Sequence, residues 1–307
     1  MPGGKTDPRE EHQEHRLTKE TQYFSISECV KPGSDLPNTM PPVEVFTDYM
    51  RALRVGKDNE IVCYDHLGMF TVARFAWLCR FYGATNVRIM NGGLQKWIKE
   101  GRDVYSGPYT PSTGLPEGGD FSFVAKTPEK VTTDITKVHD VAGQIVNGSK
   151  DWQITDARAA PRFNGEVEEP RNMRAGHISG SINVPFASLV DAETGCLKSD
   201  DQLKAVFDKA GIDYSKKTIH SCGSGVTACT VQMAYEITGG KNDTMYDGSW
   251  SEYVSHIPLF SLSREAFISL LRFFRDVLTS LTSARKFEQS ESDVKLITFS
   301  FDRDRDI

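Results

Sequence analysis

No stretch of the 307-residue chain approaches the ~18–20 uninterrupted apolar residues that a membrane span needs. Long runs of lysine and arginine are missing as well. With a net charge of −6 and a pI near 5.7, the chain lacks the electrostatic footprint of a nucleic-acid binder. Cysteine is sparse. Cys29, Cys63, Cys79, Cys196, Cys222 and Cys229 form no C-x-x-C pair and no zinc-like spacing, so they read as free thiols in a reducing compartment. The opening MPGGKTDPREEHQEH has no apolar signal-peptide core and is too acidic for a transit peptide. The expected location is the cytoplasm, with the mitochondrion as the alternative. His12 and His15 stand at i, i+3 spacing, but a solvated N-terminal helix or coil explains them more simply than a bound metal. What is present is ordinary for a globular protein: 38 % hydrophobic and 25 % charged residues, over a length that suits about two domains.

The apolar pattern alternates between short strands and helices. Val43, Phe46, Tyr49, Met50 and Leu53 recur at helical spacing, and Glu60–Tyr64 is a short apolar run of strand type. A loop then leads to a helix over Phe70–Tyr82, a strand over Val87–Met90, a turn at Asn91-Gly92-Gly93 and a helix from Leu94. Residues 106–125 form a linker, rich in Gly, Pro, Ser and Thr over most of their length. After it the rhythm returns. Helices are expected over Val138–Val146, Asp201–Ala210, Val226–Thr238 and Ser249–Ser255, and strands over Trp152–Thr155, Ser181–Val184, Lys217–Ser221 and Thr244–Tyr246. This is the alternation of an α/β fold with parallel sheets flanked by helices.

The two halves match each other. Ile61-Val62-Cys63-Tyr64-Asp65 corresponds to Thr218-Ile219-His220-Ser221-Cys222, and Met90-Asn91-Gly92-Gly93-Leu94 to Tyr246-Asp247-Gly248-Ser249-Trp250, at offsets of 157 and 156 residues. Such constancy implies a tandem duplication. The repeat also exposes a defect. Glu14-His15 aligns with Gly176-His177, yet the counterpart of Asp156-Ala157-Arg158 would fall before residue 1. The first domain, residues 1–105, is therefore expected to be truncated, without its first strand. The second, residues 126–255, is complete.

Cys222 carries the chemistry. It lies where a strand expected to be buried ends and a helix begins, and the loop Gly223-Ser224-Gly225-Val226-Thr227 follows it. The glycines let successive amides turn inward as an anion nest, and the helix start adds its positive dipole end. Both favour thiolate over thiol. Cys63, Cys79 and Cys229 read as buried structural thiols. A cysteine phosphatase would need an arginine five or six residues after the nucleophile for the transferred phosphoryl group; Ala228 stands there, with Thr227 before it. Asp65, at the position equivalent to Cys222, cannot act as a sulfur nucleophile, so the first domain is expected to be non-catalytic.

Together with the Cys222 loop, Asp156-Ala157-Arg158, Arg162-Phe163, Glu169-Pro170-Arg171, Gly176-His177-Ile178, Asn183-Val184-Pro185-Phe186 and Tyr246-Asp247-Gly248-Ser249-Trp250 carry a resemblance. The chain resembles the tandem-rhodanese sulfurtransferases, and within them the mercaptopyruvate type. The resemblance covers residues 10–254 and is strongest from about residue 150. It implies two rhodanese-like domains and sulfur transfer through a Cys222 persulfide. Arg162 and Arg171 would bind the donor's carboxylate, Ser224 would stand beside the donor, and His15 would contribute from the first domain. Arg158 reads as structural, paired with Asp156. The implied donors are 3-mercaptopyruvate or thiosulfate, and the implied acceptors thioredoxin or small thiols. No cofactor and no metal are implied. Thiosulfate-specific relatives carry basic residues just after the cysteine, whereas Gly223, Ser224 and Gly225 are neutral, which favours mercaptopyruvate. Two other readings remain open: a catalytically impaired persulfide carrier or regulatory module, and a thiosulfate sulfurtransferase. Beyond the resemblance, residues 256–307 form an extension in which Phe267, Leu270, Leu271, Phe274, Val277, Leu278 and Leu281 make one helical apolar face.

Overall fold

A computed structural model describes residues 8–110, 119–132 and 134–256. The extension expected to carry an amphipathic helix lies outside the described residues. The first half runs α1 (Pro8–Glu14), α2 (Val43–Ala52), β1 (Ile61–Cys63), α3 (Val72–Phe81), β2 (Val87–Ile89) and α4 (Gly93–Lys99). The second runs β3 (Val131–Thr132), α5 (Ile135–Val146), β4 (Trp152–Asp156), α6 (Ala160–Phe163), β5 (Ile182–Asn183), α7 (Asp200–Ala210), β6 (Lys217–Ser221), α8 (Thr227–Ile237), β7 (Asp243–Tyr246) and α9 (Ser249–Ser255).

All strand pairings within the sheets are parallel. The second half holds five strands in the order β3-β7-β6-β4-β5, and the first holds β1 and β2. A parallel sheet is covered on both faces, and its central strands β4 and β6 are each buried over four consecutive residues although most of these are polar, among them Gln153, Thr155, His220 and Ser221. The duplication is visible atom by atom. Ile61 pairs with Val87 as Thr218 pairs with Asp243, again at 157 and 156 residues. Leu94 N–H donates to Asp65 C=O as Trp250 N–H donates to Cys222 C=O, both at 3.0 Å. Among the described residues, the first half has no counterpart of β4.

Each half has its own apolar core, one around Phe46, Met50 and Leu78, the other around Leu203, Phe207 and Tyr235. Helix α3 packs on α8, and Trp77 and Met233 touch both cores, so the halves share a buried seam. The linker is less free than its composition suggests. Asp120 C=O accepts from Lys57 N–H at 2.8 Å, Lys126 N–H donates to Phe81 C=O at 2.8 Å, and Phe123 is buried in the first core. Residues 119–126 thus belong to the packing of the first half.

Under the second sheet, His220 on β6 is fully buried. Its Nδ1 lies 2.9 Å from Thr155 Oγ1 and its Nε2 lies 3.8 Å from Asp243 Oδ2. Burial drives its pKa down to about 4, against the pull of Asp243 and with a push from Lys130. The unfolded chain, with an ordinary histidine, takes up a proton between pH 6.5 and 4 that the folded chain does not. Folding stability attributable to His220 is therefore complete above pH 6.5 and is lost as pH falls toward 4, by up to about 3 kcal/mol. Urea denaturation from pH 7 to 4 should show a steeper loss in the native protein than in His220→Gln; parallel curves would mean that the histidine does not control this slope.

Candidate active site

Strand β6 delivers Cys222 to its C-terminal end, and the loop Gly223–Val226 carries the chain into α8. Cys222 is only 2 % exposed. One side chain straps the loop. Ser249 Oγ accepts from Cys222 N–H and Gly225 N–H, both at 3.1 Å, lies 3.8 Å from Cys222 Sγ, and donates to Tyr246 C=O at 2.9 Å. To do so Ser249 adopts a left-handed φ of 50°, uncommon for a residue other than glycine. Ser251 N–H and Oγ both donate to Gly223 C=O. Gly225 is required: its φ is 76°, and a Cβ there would sit 2.6 Å from Asp247 O.

The amides of Gly223, Ser224, Val226 and Thr227 meet no acceptor among the described residues. The first half shows what such amides hold. Asp65 occupies the equivalent of Cys222, and its carboxylate accepts from Leu67 N–H at 3.0 Å, Thr71 N–H at 2.7 Å and Val72 N–H at 3.1 Å. Leu67 is the repeat counterpart of Ser224, at the same 157-residue offset that relates Asp65 to Cys222. The first half thus fills its nest with its own carboxylate, while the amides of the Cys222 loop have no such acceptor among the described residues.

The other half reaches across to build this loop. Arg74 of α3, 1 % exposed, donates from Nη2 to Asp247 Oδ1 at 2.7 Å and to Asn38 C=O at 2.9 Å, and from Nη1 to Gly225 C=O at 3.3 Å. Burial pulls its pKa down, but the Asp247 carboxylate more than compensates and holds the guanidinium charged. Asp247 Oδ2 also accepts from Met40 N–H at 2.7 Å. Asn38 Nδ2 donates to Ser224 Oγ at 2.9 Å. Neither Arg74, Asn38 nor Ser249 stands out in the sequence as a site residue. The Asp247-Gly248-Ser249-Trp250 motif is the one local signal that points to any of them.

Arg158 is structural, as its motif suggests: it is buried, makes a 2.6 Å ion pair with Asp156 and a 2.9 Å one with Glu169, and lies over the Trp250 ring. Glu169 is shared. Its carboxylate also accepts from Arg162 Nε at 3.1 Å and Nη2 at 2.5 Å. This places Arg162 against the loop, where a Cβ on Gly223 would come within 3.2 Å of its Nη2. Arg171 is exposed, holds a left-handed φ of 64°, and has no acidic partner among the described residues. Such a conformation costs about 1 kcal/mol and concentrates at functional sites.

A cavity of about 1360 Å³ brings together Cys222, Gly223, Ser224, Val226, Thr227, Arg162 and Arg171, and residues of both halves line it. Gly225 lies behind it. His15 does not join them: α1 ends at Glu14, and His15 is exposed and outside the cavity lining. His12, buried in the preceding turn, and His66 line the cavity instead, with ring centroids 6.4 Å apart. The remaining buried thiols are held in the protonated form by their surroundings. Burial pushes Cys29, Cys63 and Cys229 up to about 12, and raises Cys79 well above the ordinary thiol range as well. Among the described residues no cluster of His, Cys, Asp and Glu could hold a metal ion, and no helix is long and apolar enough to cross a membrane.

Comparison with known proteins agrees with this geometry. The profile of the rhodanese-like domain matches residues 24–100 and 140–256. The chain is 40 % identical over 232 residues to 3-mercaptopyruvate sulfurtransferase of Escherichia coli (strain K12), covering 75 % of this chain and 78 % of that protein. It is 33 % identical over 259 residues to thiosulfate sulfurtransferase of Gallus gallus, covering 84 % of each. Among solved structures, the Tum1 protein of Saccharomyces cerevisiae superposes with a TM-score of 0.74 at 28 % identity, over 85 % of this chain and 86 % of that one.

The dependence of the loop on the other half is testable. Arg74→Ala leaves the buried Asp247 carboxylate without its counter-charge, and breaking a buried pair from one side costs about 3–5 kcal/mol. Chemical denaturation should show a loss of that size. A loss below about 1 kcal/mol, the scale of an exposed pair, would show that the bridge does not hold the halves together.

Proposed function

Since the chain belongs to the rhodanese-like family and is a sulfurtransferase, we propose that it takes sulfur from 3-mercaptopyruvate through a persulfide on Cys222 and passes it to a thiol. The thiolate of Cys222 attacks the donor's sulfur. The carbon–sulfur bond breaks, and its electron pair leaves on carbon as the enolate of pyruvate, which takes up a proton. An acceptor thiolate, from a small thiol or a thioredoxin-type protein, then attacks the outer sulfur and expels the Cys222 thiolate. Two half-reactions sharing one covalent intermediate give ping-pong kinetics.

The observation that carries this reading is the contrast between the two nests. The Asp65 carboxylate fills its nest through the amides of Leu67, Thr71 and Val72, and the equivalent amides around Cys222 are open to the terminal sulfur of a persulfide anion. Arg171, unpaired among the described residues, and Arg162, held by Glu169, supply the cations for a donor carboxylate, which a guanidinium can bind bidentately. The neutral Gly223 and Ser224 favour a monoanionic donor over the thiosulfate dianion. The carrier reading draws on a different observation, the two-stranded first sheet and the absence of His15 from the cavity. Turnover with mercaptopyruvate and a thiol separates the two.

Cys222→Ser should abolish both turnover and the mass gain of one sulfur atom on donor treatment, while Cys63→Ser and Cys229→Ser retain them. A persulfide on Cys229 in the Cys222→Ser protein would reverse the assignment. Donor choice has its own test. Gly223→Arg combined with Ser224→Lys adds two cations beside the nest, each worth about 1–3 kcal/mol to the second charge of thiosulfate, or roughly ten- to a hundredfold in rate. Steady-state kinetics should show kcat/KM rising for thiosulfate and falling for mercaptopyruvate. An unchanged ratio in a folded, persulfide-forming variant would move selectivity to the first-half wall.

A further inference from the structure

Residue 38 is where the first half meets a side chain of the Cys222 loop, and the chain around it is fixed. Arg74 Nη2 donates to Asn38 C=O at 2.9 Å, Met40 N–H donates to Asp247 Oδ2 at 2.7 Å, and the Tyr82 hydroxyl donates to Pro41 C=O. Arg74 and Asp247 are the same buried pair that reaches Gly225 C=O behind the loop. Residues 38–41 therefore cannot shift against the Cys222 loop without disturbing that pair. Asn38 holds a left-handed φ of 57°. Asparagine tolerates this conformation, but glycine adopts it at less cost, so the backbone alone does not call for this side chain. The side chain has a partner of its own: Asn38 Nδ2 donates to Ser224 Oγ at 2.9 Å. A donor on that side occupies a lone pair of the hydroxyl oxygen and turns the hydroxyl hydrogen away from residue 38. Ser224 Oγ makes no other hydrogen bond among the described residues, and both residues line the Cys222 cavity. The hydroxyl beside Cys222 Sγ is that of Ser249, at 3.8 Å. Ser224 thus presents a free O–H to whatever stands in front of the thiolate.

We propose that Asn38 is a positioning residue for sulfur transfer: its amide fixes the Ser224 hydroxyl as a hydrogen-bond donor aimed at the ketone oxygen of a 2-keto thiol. The inference rests on the mercaptopyruvate reading and adds a first-half residue to it. In that reaction the Cys222 thiolate forms the new sulfur–sulfur bond while the carbon–sulfur bond breaks. The electron pair passes onto the carbon and is delocalised to the neighbouring ketone oxygen as the enolate. The donor's thiol proton stays with the persulfide until water removes it. An O–H already turned toward the ketone oxygen stabilises the charge as it develops, with no reorganisation at the moment of reaction. The amide of Asn38 has no site that takes a proton near neutral pH, so Ser224 keeps its hydrogen throughout and the enolate is protonated on carbon by water. Ser224 acts by a fixed hydrogen bond rather than as a proton relay, and its direction is set from the other half of the molecule. Because the bond strengthens only as the enolate forms, its value appears in the rate of the step more than in donor binding.

Rapid-quench mass spectrometry of the full chain mixed with mercaptopyruvate reads the loading of Cys222 directly. Asn38→Gly keeps the left-handed backbone and the carbonyl that Arg74 binds, and removes only the amide. Asn38→Asp keeps the shape but offers the hydroxyl an acceptor, which draws its hydrogen away from the donor. The maximal loading rate should fall about tenfold in Asn38→Gly, the scale of one hydrogen bond, and further in Asn38→Asp. The mercaptopyruvate concentration giving half of that rate should move much less. Ser224→Ala should lose about a hundredfold, the scale of one donor removed from an oxyanion. The double variant decides between positioning and mere support of the fold. If Asn38 acts through the Ser224 hydroxyl, Asn38→Gly should change the rate by no more than about twofold once Ser224 is alanine. A tenfold loss that persists in the Ser224→Ala background would overturn the proposal, as would native loading rates in Asn38→Gly or Asn38→Asp. Failure of the native chain to load from mercaptopyruvate would instead overturn the donor reading, and this inference with it.

Discussion

The ion pair between Arg74 and Asp247 is the constraint on which the rest depends. It is buried, and a buried pair must overcome the removal of both charges from water, which only close geometry with further hydrogen bonds achieves. Arg74 meets that demand by also binding the carbonyls of Asn38 and Gly225, and Asp247 by accepting from Met40. The consequence is more geometric than energetic. One guanidinium on a helix of the first half fixes the back of the Cys222 loop, the turn that follows β7, and the Asn38 loop whose amide reaches Ser224. The relation is partly reciprocal, since Thr230 of α8 reaches the Met69 carbonyl in the first-half loop. A small shift of α3 on α8 would therefore be felt at the nest.

The front of the site is built on the same economy of shared groups. Glu169 serves two guanidiniums. Arg158 is held from inside by Asp156 and the Gly176 carbonyl, and Arg162 is held at the rim. A partly exposed arginine with one carboxylate partner keeps its charge and loses its rotational freedom, the condition under which it can orient a small anion without large entropic cost. Arg171 reaches the same cavity by another route, a left-handed backbone in the turn Pro170–Asn172. Two arginines are thus positioned by different means, one by its side chain and one by its main chain.

Much of this was legible in the sequence, because it is local. The strand, glycine loop and helix around Cys222 announce themselves within fifteen residues, and the 156–157-residue offset reappears in the strand register. The Asp156–Arg158 pairing is equally short in range. What stayed hidden is long in range or depends on where an element stops. Arg74 sits within Val72–Phe81 like any helical residue, and nothing nearby names a partner 173 residues away. The spacing of His12 and His15 suggests one helical face, but the helix ends between them, which buries one and exposes the other. In the linker, the glycines and prolines mask the alternation of Phe121 and Phe123 that docks this stretch on the first core. Ser249 needed its backbone angle before its role could be seen.

Asp65 has a consequence for how such a two-domain protein arises. A duplicated catalytic domain that simply loses its thiol would keep a cluster of inward-facing amides with nothing to bind, and buried donors without acceptors are costly. A carboxylate in place of the thiol removes the nucleophile and satisfies the amides in one substitution. A copy carrying the carboxylate keeps its loop amides satisfied, as the Asp65 contacts show. Its history acquires a direction: return to cysteine would reopen the nest before any activity was regained, so selection for stability alone would keep the two copies in their separate trades.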